Sequence, residues 1–179
     1  MGKIREKILI TKIKAGDKEA FGEFYDLYVD KIYRFIYFKV SRVQEAEDLT
    51  SEVFLRVWQY ARDGVEIENI KAFLYRVSRN AVIDFYRKNY GKETVDLEDH
   101  NIIDNLKADN LIEKIDTKAQ VKEIIEKLDS IKEEYKEVIL LRFVEEYSTK
   151  EIAEVMGRSK GATRVLLHRA MEALRSKVK

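Results

Sequence analysis

The chain has 179 residues, 45% of them hydrophobic and 37% charged, a formal net charge of +1, and neither cysteine nor proline. That length suits one domain or two small ones, and the composition is that of a folded protein rich in helix formers. Without cysteine there is no disulfide or thiolate chemistry, and no apolar run approaches the ~18 residues of a membrane span or the form of a signal peptide. The expectation is a soluble, cytoplasmic protein with no membrane insertion.

In chain order, Phe21, Phe24, Tyr25, Tyr28, Ile32, Phe35 and Ile36 recur at three- and four-residue steps, which predicts a helix with one buried face. Ser41 or the residues just after it break that helix. A second begins near Gln44, with Ala46, Leu49, Val53, Phe54 and Val57 on its apolar side and Glu45, Asp48, Glu52 and Arg56 mostly opposite. The Asp63-Gly64 turn signal ends it by about Ala61. Asn69 is placed to cap a third helix carrying Ala72, Phe73, Val77, Ala81, Val82 and Phe85 on one face, with Arg76, Arg79, Asn80 and Lys88 outside it.

Beyond Tyr90-Gly91 the periodicity fails, and Glu93, Asp96, Glu98, Asp99, Asp104 and Asp109 dominate a linker that frees the flanking domains to reorient. Val121, Ile124, Ile125 and Leu128 predict another helix. Tyr135, Val138, Ile139 and Leu141 begin the next, and Phe143 carries its apolar pattern onward. Ser148 and Glu151 then have the spacing of a capping box, Gly157 suits a helix stop, and Ser159 can cap a second helix bearing Arg164, His168 and Arg169. Two short helices around a glycine-containing turn, the second cationic, form the pattern of a DNA-binding helix-turn-helix. The plainer alternative is an ordinary helical hairpin. Strand-like alternation and internal repeats are absent. The expected fold class is all-α: helical domains at residues 1–90 and 119–179, joined by a flexible acidic linker at 91–118.

The near-neutral net charge hides a partition. From Lys71 to Lys92 six cations face one acid, and from Met156 to Lys179 seven face one, which suggests two phosphate-facing surfaces. Enzyme chemistry has no support: there is no glycine-rich phosphate loop, no metal-ligand cluster and no nucleophile–base pair, so neither catalytic residues nor cofactors are expected.

Three segments together carry a resemblance. Glu45-Ala46-Glu47-Asp48-Leu49-Thr50-Ser51-Glu52-Val53-Phe54-Leu55-Arg56-Val57-Trp58 resembles the core-polymerase-binding segment of bacterial sigma factors. Lys71 to Lys88 is similar to their minus-10-reading segment, and the C-terminal helix-turn-helix to the one that reads the minus-35 element. With only these two domains, the chain resembles the extracytoplasmic-function group of the sigma-70 family over nearly its whole length.

The resemblance implies a factor that binds core RNA polymerase, at the beta-prime clamp helices and the beta flap, and directs it to promoter DNA. The DNA would be double-stranded and, at the minus-10 region, locally single-stranded. Glu45, Asp48, Leu49 and Glu52 would meet the polymerase, with Phe54 and Trp58 more in character as core. Asn69, Arg76, Arg79, Asn80, Arg87 and Lys88 would meet minus-10 DNA, Asn80 being best suited to a base edge. The loop from Arg62 to Asn69 lies where relatives of this type capture a flipped base. Arg158, Ser159, Lys160, Thr163, Arg164, His168 and Arg169 would meet minus-35 DNA. Family members often continue their recognition helix with polar or basic residues where this chain has Val165 and Leu166. An anti-sigma factor is a further partner that the resemblance admits. The competing reading is a stand-alone helix-turn-helix regulator with an N-terminal dimerisation or sensory domain, which would have no need of the acidic Glu45–Trp58 segment.

Overall fold

The structure is a computed structural model, and it describes residues 3–90, 127–128 and 130–178. The expected linker at 91–118 and most of the helix expected from 119 lie outside the described residues; Leu128, at the end of that helix, is helical and buried. Two units divide the chain, Met1–Asn89 and Tyr90–Lys179. Every regular element among the described residues is helical.

The first unit opens with α1 (Lys3–Lys14), which the sequence pattern did not predict. It buries Leu9, Ile10 and Ile13 against α2 (Lys18–Val40) and α3 (Val43–Arg62). Gly16, at φ +88°, makes the turn, and Asp17 caps α2 by accepting a hydrogen bond from the Ala20 N–H at 3.0 Å. Along α2, Phe24, Tyr28, Ile32, Phe35 and Ile36 are buried as the periodicity requires, whereas Tyr25 is 38% exposed. Ser41 ends α2 in the left-handed region, φ 55°, donating its N–H to the Tyr37 carbonyl at 2.8 Å.

On α3 the inward residues are Ala46, Leu49, Val53, Phe54, Val57 and Ala61. The Phe54 ring meets the Phe24 ring edge-on at 5.8 Å, and half-buried Trp58 meets Phe21 at 4.9 Å, so both act in the apolar interior. Asn69 accepts the Ala72 N–H at 3.0 Å and starts α4 (Ile70–Tyr90). This helix buries Phe73, Leu74, Tyr75, Val77, Ala81, Val82 and Tyr86. Tyr75 packs edge-on against Phe35 at 4.8 Å, and the Tyr86 hydroxyl donates to the Lys39 carbonyl at 2.6 Å, tying α4 to the end of α2.

In the second unit, α5 (Glu133–Ile139) runs into a π-helical turn, Leu140–Val144, in which the Glu145 N–H reaches back five residues to the Leu140 carbonyl at 3.0 Å. That wider turn changes the apolar register. Leu140 and Leu141 stay buried, but Phe143 is 57% exposed, so the expected continuation of the buried pattern through Phe143 is corrected. Helices α6 (Thr149–Met156) and α7 (Lys160–Val178) follow, and both pack into the same interior through Ile152, Ala153, Val155, Leu166 and Ala170.

Candidate nucleic-acid interface

Helix α3 separates the acidic segment into an inner and an outer side. Leu49 is only 5% exposed, so it is core and cannot meet a partner directly, contrary to the sequence expectation; it lies on the same wheel sector as Val53 and Ala46. The exposed apolar residue is Leu55, at 61%. Steps of four, three and four residues place Asp48, Glu52, Leu55 and Gln59 in one stripe, all of them exposed. That spacing was readable from the sequence once the inner face was known. Asp48 has no ion-pair partner among the described residues. Glu45 is paired with Arg42 at 3.1 Å. Glu52 bonds Arg56 at 2.6 Å, and Arg56 reaches on to Asp84 of α4 at 3.3 Å. Burial opposes the charge on Arg56, but its bonds and proximity to Glu52 and Asp84 outweigh that and raise its pKa. The clamp joins the acidic helix to the basic one.

On α4, Arg76, Asn80, Ile83 and Arg87 share one outward stripe. The Arg76 guanidinium lies 5.2 Å from the centre of the Phe73 ring, and exposed Tyr60 meets the other edge of that cluster, 5.8 Å from Phe73. Asn80, Arg87 and Lys88 are exposed, Lys88 on an adjoining sector beside Asp84, and Arg79 is half-buried and engaged. Asn69 stands apart from this stripe because its side-chain oxygen is committed to the cap.

The C-terminal motif forms as its residues dictate. The Ser148 hydroxyl accepts the Glu151 N–H at 3.3 Å while the Glu151 carboxylate accepts the Ser148 N–H at 3.0 Å. Gly157 stops α6 at φ 64°, and the Ser159 hydroxyl accepts the Ala162 N–H at 3.1 Å to start α7. Thr163, Leu166 and Ala170 mark the inward side of α7. Thr163 is 0% exposed and donates its hydroxyl to the Ser159 carbonyl at 3.0 Å, so its assignment to DNA is corrected: it secures the first turn instead. Leu166 is likewise core, at 6% exposure. The outward side carries Gly161, Arg164, Val165 and His168, with Arg169 at its rim and Lys160 at its start. His168 lies 3.5 Å from Glu172, and Arg158 is bound to Glu134 at 2.7 Å.

Among the described residues there is no grouping of three or more His, Asp or Glu side chains fit for a metal ion, and no helix long and apolar enough to cross a membrane. An acidic helix clamped to a basic one in the first unit, and a helix-turn-helix with a cationic second helix in the other, define a DNA-binding transcription factor of the initiation class. Comparison with known proteins supports that class in both units. The model of sigma-70 region 2 matches residues 24–91, and that of sigma-70 region 4 matches residues 122–174. The chain belongs to the sigma-70 family of RNA polymerase sigma factors, in its extracytoplasmic-function group.

It is similar to the extracytoplasmic-function sigma factor BldN of Streptomyces coelicolor, 31% identical over 93% of this chain and 63% of BldN. With the corresponding factor SigW of Bacillus subtilis it shares 29% identity, over 95% of each. Among solved structures, CnrH in complex with the cytosolic domain of CnrY has the same fold at 20% identity, TM-score 0.71 and 97% coverage of both chains. The sigma factor RpoE of Bartonella quintana, in complex with the anti-sigma factor NepR, matches at 18% identity and TM-score 0.59, over 88% of this chain and 96% of that one.

Proposed function

We propose that the chain binds core RNA polymerase, directs it to particular promoters and helps melt their minus-10 region, performing no covalent chemistry itself. Residues 1–90 serve polymerase and minus-10 DNA, 91–118 link, and 119–179 serve minus-35 DNA, with the whole acting in the cytoplasm. The observation that carries the reading is the exposed stripe Asp48, Glu52, Leu55, Gln59, held beside the basic helix α4 by Arg56. An isolated DNA-binding regulator has no use for such a stripe, whereas a basic, partly apolar polymerase surface complements it.

Roles follow from exposure. Asp48 and Leu55 contact polymerase, with Glu45 and Glu52 shaping the acidic field around them. Arg76, Asn80 and Arg87 face minus-10 DNA, Asn80 towards a base, with Arg79 and Lys88 beside them. Arg158, Lys160, Arg164, His168 and Arg169 face minus-35 DNA, while Ser159 and Asn69 serve by starting the two reading helices. An anti-sigma protein is a further proposed partner; the likeness to RpoE, bound to NepR in its structure, supports that choice.

Transcription in vitro with core polymerase on a randomised promoter library tests the reading. The wild-type chain should enrich a two-part promoter, and Asp48→Arg should bind core polymerase more weakly by about 1–3 kcal/mol with an unchanged melting temperature. Enrichment of no promoter, or unchanged polymerase affinity in the variant, overturns it.

A further inference from the structure

The outward side of α7 is unusual in what it offers a major groove. Over its first two turns the exposed residues are Lys160, Gly161, Ala162, Arg164 and Val165, because Thr163 and Leu166 face the interior. Arg164 and Lys160 can both donate to a guanine edge, and Arg164 has the planar fork best suited to a bidentate bond. Val165 is 50% exposed and lies one position away, 100° round the helix, with Arg169 and His168 one turn beyond it. Val165 stands between two cations, Arg164 beside it and Arg169 one turn on, and only the small Gly161 and Ala162 occupy the turn before it. The surrounding charge attracts a polyanion, and the apolar group that a DNA major groove displays on a base edge is the C5-methyl of thymine.

We infer that Val165 is a specificity-determining residue that reads a thymine methyl in the minus-35 element, next to the base pair read by Arg164. The inference rests on the minus-35 role proposed for this helix. Its two γ-methyl groups would cover the thymine methyl and leave cytosine disfavoured at that position. Covering one methyl corresponds to a factor of about four in affinity.

The test removes the methyl from the DNA and leaves every hydrogen-bonding group of the base intact. Minus-35 elements are selected with the full chain and core polymerase, and each thymine in the selected element is then replaced singly by deoxyuridine. At one thymine, the substitution should weaken open-complex formation about fourfold with the wild type and have no effect with Val165→Ala. Val165→Thr, which keeps one methyl and the β-branch, should retain an intermediate sensitivity. Thermal melts check that both variants fold, as expected for a half-exposed position. A selected element without thymine in the α7 contact region, or a deoxyuridine effect that Val165→Ala preserves, overturns this inference alone. If the wild type initiates from no promoter, the initiation reading falls and this inference with it.

Discussion

The two leucines of α3 separate core from the proposed docking surface by a measurable contrast. Leu55 is 61% exposed, and fully burying a leucine is worth about 1.5–3 kcal/mol, so covering its exposed part at a polymerase interface is worth roughly 1–2 kcal/mol. Leu55→Ala should therefore weaken core polymerase binding by roughly five- to thirtyfold. It should leave stability nearly unchanged, because alanine is the better helix former and little interior contact is lost. Leu49 is 5% exposed between Ala46 and Val53, so Leu49→Ala leaves a cavity and should cost about 2–5 kcal/mol of stability. Below its lowered melting temperature it should still bind polymerase. Circular-dichroism melts give the first quantity, and titration of a fluorescently labelled chain with core polymerase gives the second. The reasoning is refuted if Leu55→Ala binds as the wild type does, or if Leu49→Ala loses affinity while keeping its stability.

Three further outcomes are expected. Asn80→Ala should reduce promoter melting, read by permanganate reactivity, more than polymerase binding, since a lost base contact costs about 1–3 kcal/mol; Asn69→Ala should instead lower stability by about 1 kcal/mol through the lost cap of α4. Arg164→Ala should relax the minus-35 preference at one position, whereas Arg169→Ala, at the rim of the outward face, should weaken all promoters about equally and flatten the salt dependence; site selection at two salt concentrations distinguishes the two. Ser148→Ala should destabilise the second unit by about 1 kcal/mol in a denaturant titration, and an unaltered midpoint would show that the capping box is dispensable.

Much of the molecule was legible in the sequence where the determinants are local. Caps act over three residues, so Ser148 with Glu151, Asn69 with Ala72, and Gly157 could be placed from spacing alone, as could the buried periodicity of Phe24, Tyr28, Ile32 and Ile36. The three family segments were legible for a related reason, since each is continuous in the chain. Helix α1 escaped notice because Leu9, Ile10 and Ile13 make too short an apolar pattern to read alone, and they gain their stabilisation by packing on α2 and α3.

The sequence by itself determined that the described elements are helical, where the charge is concentrated, and which segments resemble those of sigma factors. A helical wheel sorts residues into sectors but does not say how wide the covered sector is. Only the neighbouring helices decided that Leu49 is core while Leu55 is exposed, that Thr163 and Leu166 face inward on α7 while Val165 faces outward, and that Phe143 leaves the interior. In the last case the π-helical turn Leu140–Val144, with its five-residue hydrogen bond, widens the helix where Phe143 stands and shifts that side chain off the face on which Ile139 is buried. Burial is a property of the surfaces that meet, and those surfaces come from residues far apart along the chain.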